Sequence, residues 1–538
     1  MLAPQNNKAR SIYSLDGVWD FKLDEDDEGL DGFWMSNKLY APRPIPVPSS
    51  FNEISFDIDA YREDNIVWYQ RTLDIPERHT SDRIFLRLEH FSGALEIFID
   101  DENVASLASS STPYEIDITS KFTPGENSLL TIRLDARNLK DSDQFAYAGL
   151  DGNIMLVCVP DAYIEDIYFA TVGFIPLATG GLDSAQARYE IVLSDEDTPV
   201  KLELKDFQGK VVAESDEAEG TLEIPRPTAW SPKLPYLYTL CVASGDDYYE
   251  QKVGLRQVAV FEDGLTLNQE PIRLSGFNYE AMVAGFGRAL SDAQIIKDFE
   301  LMRWMGANAI FSSKGALSEQ FLNLADTYGM LVIETPDSFD ETGVKNLLAR
   351  DKNHPSLITL AYVPDEQNSF ADFKNHVIEF DYANLPLAQL LSDKAALDDA
   401  SNADLLIFSP DLSKLEELSI DGFVRLISKE LTALSENTTK PVVVYNFTPQ
   451  AHEGKRSYFE ELGSEDFQVA VLAELGRIFD ANAQITGEFI NHFTDIKLSG
   501  QEDGQNSDCA ALFTIERQAK TSAYTQRVRW YILSGKAL

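Results

Sequence analysis

Apolar and polar residues alternate in short runs over the first 160 or so residues, at 18–23, 67–73, 84–88, 95–99, 114–118 and 129–134. Successive side chains on a strand point to opposite faces, so this alternation places one apolar set on one buried face. Turn residues such as Pro124-Gly125-Glu126-Asn127 punctuate the runs, and the spacing predicts a β-sandwich. The same grammar continues at 163–170, 187–193, 201–204, 236–242 and 248–253, over a length that suits one immunoglobulin-like sandwich.

The period changes near residue 262. Ile295, Ile296, Phe299, Met302 and Met305 recur at helical spacing, and Gly306 stands where such a helix would end. Short apolar strands at 308–311, 330–334, 356–363, 403–409 and 442–447 alternate with helical stretches at 318–328, from Gly422 and from Glu465. That alternation predicts a (β/α)8 barrel. The chain therefore reads as multidomain, β followed by α/β: a sandwich over 1–161, an immunoglobulin-like sandwich over 162–260 and a TIM barrel over 261–538. No internal repeat or low-complexity linker interrupts it.

Composition adds exclusions. Of 538 residues 44% are hydrophobic and 11% aromatic, which rules out a mostly disordered chain. Lys and Arg total 45 against 88 Asp and Glu, a formal charge of −43 that argues against nucleic acid and anionic membranes as partners. No apolar run is long enough to span a membrane. The N-terminal ten residues lack the apolar core of a signal peptide, which favours a cytoplasmic location unless a signal was removed beforehand.

Cys158, Cys241 and Cys509 are far apart and odd in number, so they read as buried small hydrophobes rather than a disulfide framework. His79, His90, His354, His376, His452 and His492 show no metal-ligand spacing, and no phosphate-cradling glycine motif occurs. Neither a metal nor a cofactor is expected. The acidic run at 24–28 lacks calcium-loop spacing and reads as a solvated turn. Trp19, Trp34 and Trp68 read as packing residues, and His354 as a structural residue of a turn.

The order of these segments carries a resemblance. Leu15-Asp16-Gly17-Val18-Trp19, Val47-Pro48-Ser49-Ser50-Phe51-Asn52-Glu53 and Val67-Trp68-Tyr69-Gln70-Arg71 stand in the first segment. Trp230-Ser231-Pro232, Pro235-Tyr236-Leu237-Tyr238 and Val253-Gly254-Leu255-Arg256 stand in the second. Met305-Gly306-Ala307-Asn308, Asn353-His354-Pro355-Ser356 and Lys440-Pro441-Val442-Val443-Val444 stand in the third. Together they make the chain resemble glycoside hydrolase family 2, nearest to its β-glucuronidases, almost end to end. The resemblance implies a jelly-roll-like, sugar-binding first sandwich. It also implies a barrel that cleaves β-glycosides with an acid/base and a nucleophilic carboxylate, about 5–5.5 Å apart for retention.

Carried over residue by residue, the acid/base falls in Pro364-Asp365-Glu366-Gln367. With one inserted residue Glu366 takes the role; without it Asp365 does. In the first alignment Asp365 also replaces an Asn that donates to the sugar 2-hydroxyl, and a carboxylate can only accept there. The nucleophile is expected six residues after the Lys of a Lys-Pro-apolar strand. That count from Lys440 reaches Asn446, an amide that cannot ionise.

Other family positions are changed as well. Phe311-Ser312-Ser313-Lys314 lacks the expected Arg and His, Tyr279-Glu280-Ala281-Met282 lacks His and Asp, and Ser409-Pro410-Asp411-Leu412 departs from its aromatic pattern. Asn491-His492 stands for the Trp-Asn that floors the sugar site. Asn506-Ser507-Asp508 stands for the Asn-x-Lys clamp, where Asp508 would repel a uronic acid.

Three readings follow. The first is a catalytically impaired member of the family, a pseudoenzyme with a carbohydrate- or protein-binding role. The second is an active β-glycosidase with Glu366 as acid and Asp365, Glu334 or Glu488 as a non-standard second carboxylate. The third is a structural subunit of an oligomeric assembly, since the resemblance implies a homo-oligomer. A mouth filled by Phe311, Tyr279 or Tyr445 would favour a binding or structural role over activity.

Overall fold

The computed structural model describes residues 1–538 except 55–64, 138, 140–146, 179, 263, 365–366, 382, 392–401, 498–506 and 536–538. Its first sandwich packs two antiparallel sheets. One carries Ser11–Ser14, Ile154–Val159, Arg83–Leu88 and Tyr114–Asp117; the other orders Arg43–Val47, Gly17–Leu23, Ile66–Asp74, Asn127–Asp135, Ala94–Ile99 and Glu102–Leu107. All six alternating runs expected here are strands. Their inward residues, among them Trp19, Tyr69, Leu86, Ile97 and Ile132, form one core. Trp68 is fully buried and its Nε1 donates to Asp24 Oδ2 at 2.8 Å. The acidic run is thus solvated only over 25–28, because Asp24 turns inward to that indole and to Gly29 N.

The second sandwich faces Ile164–Pro176, Leu182–Leu193 and Glu219–Pro225 against Val211–Ser215, Val200–Lys205, Tyr238–Ser244 and Asp247–Val253. The strands at 211–215 and 219–225 were not expected: no residue of the first is buried, and in the second only Leu222 and Ile224 are. A buried pair, Arg10 Nη2 to Asp247 Oδ2 at 2.5 Å, ties the N-terminal segment to this sandwich.

Eight parallel strands then close a barrel. They are β1 Leu274–Asn278, β2 Ala309–Ser312, β3 Leu331–Glu334, β4 Leu357–Tyr362, β5 Leu387–Leu391, β6 Leu405–Phe408, β7 Val442–Tyr445 and β8 Ile485–Ile490. The described helices around it include α1 Asp292–Met305, α2 Glu319–Tyr328, α3 Glu341–Asp351, α4 Phe370–Phe380, α5 Ile420–Asn437, α6 Glu465–Ala481 and α7 Thr521–Leu533. The α/β alternation therefore stands. The sequence reading did not pick out β1, β5 or β8, short runs buried on both faces without a period of their own.

Alternation along each strand decides which side chains fill the barrel. Leu274, Phe311, Ile333, Ile407, Val443 and Phe489 point to the axis. Their neighbours Phe277, Ile310, Val332, Val444 and Ile490 pack outward against the helices. Gly276 is required between them: a Cβ there would lie 1.9 Å from the Ala309 carbonyl oxygen. Gly306 ends α1 at φ 84°, a left-handed cap that costs an L side chain.

His354 is structural, as expected. Its Nδ1 lies 2.6 Å from Asp326 Oδ2, and the other Asp326 oxygen accepts from Ser356 N at 3.0 Å. The three cysteines are buried and none forms a disulfide among the described residues.

Candidate functional site

The C-terminal ends of the barrel strands converge on one mouth, where family enzymes of this architecture carry their chemistry. The floor is aromatic. Phe311 at the end of β2 meets Tyr445 at the end of β7 edge to face, and packs on Phe489 of β8 with centroids 5.7 Å apart. The Tyr445 hydroxyl lies 3.4 Å from Ser313 Oγ. Burial pushes that phenol up to about 12, and the charges of Glu280 and Asp508 act in the same direction. Tyr279 takes no part: one residue past β1 it faces outward, and its hydroxyl donates to Asp298 Oδ2 of α1 at 2.9 Å.

Asn446 follows β7 directly, with φ 57° in the left-handed region that Asn tolerates. Its Nδ2 donates a long 3.4 Å hydrogen bond to Ser409 Oγ, beyond the end of β6. Asn278, at the end of β1, is fully buried. Its Oδ1 accepts from Ser313 N at 3.2 Å, while its Nδ2 has no acceptor among the described residues.

Above this floor lies a chain of charges. Glu280 Oε1 is 3.5 Å from Lys314 Nζ and 3.6 Å from His492 Nδ1. His492 Nε2 is 3.2 Å from Asp508 Oδ2. Asp508 Oδ1 also accepts from Gln450 Nε2 at 2.8 Å and from Ala510 N at 2.9 Å. Burial alone would raise the Asp508 carboxyl, but the hydrogen bond and charge of His492 outweigh it and hold the group at about 2. Asp508 is therefore an ionised group tied to the His492 imidazole.

The remaining site expectations fare differently. Glu366, Asp365 and Asn506 lie outside the described residues. Asn491 is buried, and its Oδ1 accepts from Thr448 N at 2.8 Å, so it fastens the loop after β7. Glu334 and Glu488, offered as second carboxylates, both turn away from the axis, because each neighbours an inward residue on its strand (Ile333 and Phe489). Glu334 is fully buried beneath the β2–α2 loop, with Leu317 N donating to Oε1 at 2.9 Å. Burial, aided by Asp351, holds it well above the usual carboxylate range.

Glu488 is caged by α7. Arg529 donates from Nη1 at 2.5 Å and Nη2 at 2.8 Å, Gln526 Nε2 at 2.8 Å and Trp530 Nε1 at 2.6 Å. The Glu280–Lys314–His492 grouping was not read from the sequence. Its members were visible one by one in stretches that depart from the family pattern. Only the closing of β8 onto β1, which has β2 on its other side, brings them together.

Comparisons with known proteins agree along the whole chain. Residues 12–160 match the family model "Glycosyl hydrolases family 2, sugar binding domain", 177–256 match "Glycosyl hydrolases family 2", and 258–340 match "Glycosyl hydrolases family 2, TIM barrel domain". Positions 366 and 446 lie beyond the matched part of the barrel. The chain is 27% identical to a β-glucuronidase of Paenibacillus borealis, covering 98% of each chain. It is also 27% identical to one of Rattus norvegicus, covering 100% of this chain and 93% of that one. In structure it is similar to a β-glucuronidase of an uncultured Clostridium sp., at a TM-score of 0.92 and 25% identity over 99% of this chain and 100% of the other. It is likewise similar to that of Faecalibacterium prausnitzii, at a TM-score of 0.88 and 25% identity over 100% of both. With two sandwiches, a closed barrel and these matches in the same order, the chain belongs to glycoside hydrolase family 2.

Proposed function

We propose that this protein is a catalytically impaired member of the family, whose barrel mouth binds carbohydrate without cleaving it. The observation that carries the reading is Asn446 at the end of β7, where the resemblance implies the attacking carboxylate. An amide offers no oxygen anion to form a glycosyl-enzyme. No replacement comes from Glu334 or Glu488, which turn outward, Glu334 beneath the β2–α2 loop and Glu488 into the donors of α7. The aromatic floor of Phe311, Tyr445 and Phe489 suits the apolar face of a sugar ring, and the rim of Glu280, Lys314, His492 and Asp508 offers donors and acceptors to its hydroxyls. Self-association or a protein partner would be compatible with this role.

The test is covalent trapping and turnover. Incubation with a fluorinated glycosyl inactivator should leave the intact mass of the protein unchanged. Aryl β-glucuronide, β-galactoside and β-mannoside should all remain unhydrolysed. A trapped sugar, or turnover that vanishes in Glu366→Gln, would overturn the reading.

The second reading, an active β-glycosidase, is favoured by the full-length similarity to proteins named β-glucuronidases. It would need Glu366 as acid and a partner carboxylate at the mouth, for which Glu280 and Asp508 are the candidates among the described residues. Loss of turnover in Glu280→Gln would identify that partner.

A further inference from the structure

The last barrel helix, α7, differs from α1–α6 in its charge. Each of those six carries at least two Asp or Glu, in a chain that holds 88 of them. Thr521–Leu533 carries none. Its two cations are turned onto their own chain. Arg529 pairs with Glu488, and with Asp480 at 2.7 Å. Arg527 donates from Nε to the Trp304 carbonyl of α1 at 2.9 Å and lies over the rings of Trp304 and Tyr531. The helix thus presents no carboxylate and no uncommitted cation.

Its outer face is also apolar. Tyr524, Val528 and Ile532 are 57%, 41% and 71% exposed. Residues four apart on a helix lie on one side, so these three form a single ridge. The ridge is held firmly. Ala523 and Trp530, on the opposite side of α7, are buried in the barrel core, and the Tyr524 ring stands edge-on to Trp304 with centroids 5.4 Å apart. At the N-terminal end, Arg456 Nη1 donates to Thr521 Oγ1 at 3.1 Å and fastens a loop whose Tyr458 and Phe459 are almost fully exposed. Apolar surface gathered in this way along one element marks a contact site.

Charge and symmetry limit the occupant. A chain at −43 repels a second copy wherever carboxylates cover both surfaces. On α7 two copies can meet without opposing carboxylates, whereas a strongly acidic or basic partner finds no opposite charge there to pair with. The ridge is also its own complement. Tyr524 and Ile532 lie four residues to either side of Val528. A two-fold axis crossing the helix at Val528 sets two copies of α7 antiparallel. Val528 then lies beside Val528 of the second copy, and each Tyr524 beside an Ile532, the reciprocal pairing of an isologous contact. Ridges of residues four apart are those that interdigitate in the commonest packing of helices.

We propose that α7 is the contact surface of a two-fold dimer of this chain, centred on Val528. The inference goes beyond the carbohydrate-binding reading and does not depend on what the barrel mouth holds.

The experiment is sedimentation velocity of the full chain. Wild type should associate within the range of about 1–50 µM. Raising salt from about 0.1 to 0.5 M should favour association, because it screens the like charges of the two copies and leaves the apolar contact intact. Val528→Glu sets two carboxylates together at the axis and should weaken association about a hundredfold, as should Val528→Lys with two ammonium groups. An equimolar mixture of the two variants should associate again, since a two-fold axis at this residue places one charge beside the other. Each variant is first shown to melt as wild type does, and Val18→Glu, at an exposed position of the first sandwich, should associate as wild type does. A wild type that stays monomeric would leave the ridge to another partner and overturn the proposal. So would an assembly that salt dissociates, one of unchanged size in Val528→Glu, or a mixture of the two variants that does not associate.

Discussion

The ring of Tyr445 stands edge-on to Phe311, with centroids 5.2 Å apart and planes at 85°. Strands β2 and β7 are not neighbours in the barrel, so this contact crosses the mouth and closes the axis beneath the rim. Phe311 is fully buried. Phe311→Ala should therefore cost about 3–5 kcal/mol, the usual penalty for an emptied aromatic site. Tyr445→Phe removes only a long hydroxyl contact and should cost about 1 kcal/mol or less. Urea denaturation midpoints report both. A Phe311→Ala chain as stable as wild type would mean the floor is not packed.

Asn446→Glu restores the missing carboxylate at one position only. The variant should show no turnover of aryl β-glycosides above the wild-type background, because the other family positions around the mouth remain changed. Assays with the three aryl substrates are the check. A strong gain from that single change would show the rest of the pocket to be competent.

Glu488 and Arg529 form a buried pair, with side chains 0% and 16% exposed. Arg529 keeps Asp480 as a second partner at 2.7 Å, so removing the Glu488 charge strips one of its two ion pairs. Glu488→Gln should destabilise the protein by about 1–3 kcal/mol. Replacing both by apolar residues of similar volume should recover most of that loss. Chemical denaturation separates this structural role from a catalytic one, in which Glu488→Gln would lower turnover and leave stability unchanged.

The His354–Asp326 pair makes stability depend on pH. Burial alone would lower the imidazole, but the Asp326 carboxylate, helped by Asp351 and Glu319, outweighs it and holds His354 up at about 9, above its ordinary 6.5. The folded state thus binds a proton that the unfolded chain releases sooner. The contribution, about 3 kcal/mol at most by linkage, is complete below pH 6.5 and is lost as pH rises through 9. Stability measured across that window should fall in wild type and fall less in Asp326→Asn. Parallel curves would remove the pair from the account.

Much of the scaffold was legible because its signals are local. Alternation at period two marked the six runs of the first sandwich, and helical spacing with Gly306 marked α1. Where a strand is buried on both faces, as in Leu387–Leu391, no period exists to be read, and β5 was missed. The position of Asn446 was also legible, since it needs only a count along one strand from Lys440. The hydrogen bond between Asp508 and His492 was not legible, because the two residues come from different loops.

The order of elements, the buried face of each and the amide at position 446 were determined by the sequence alone, since these follow from side-chain chemistry and near-neighbour spacing. Only the closed barrel decided which polar groups share a space. A one-residue step along a strand turns a side chain from axis to helix layer, and that parity removed Glu334 and Glu488 from the mouth. Parallel closure set β8 beside β1 and joined Glu280 to His492 across more than 200 residues of chain. Such relations depend on distances in space, which neighbouring residues along a chain do not encode.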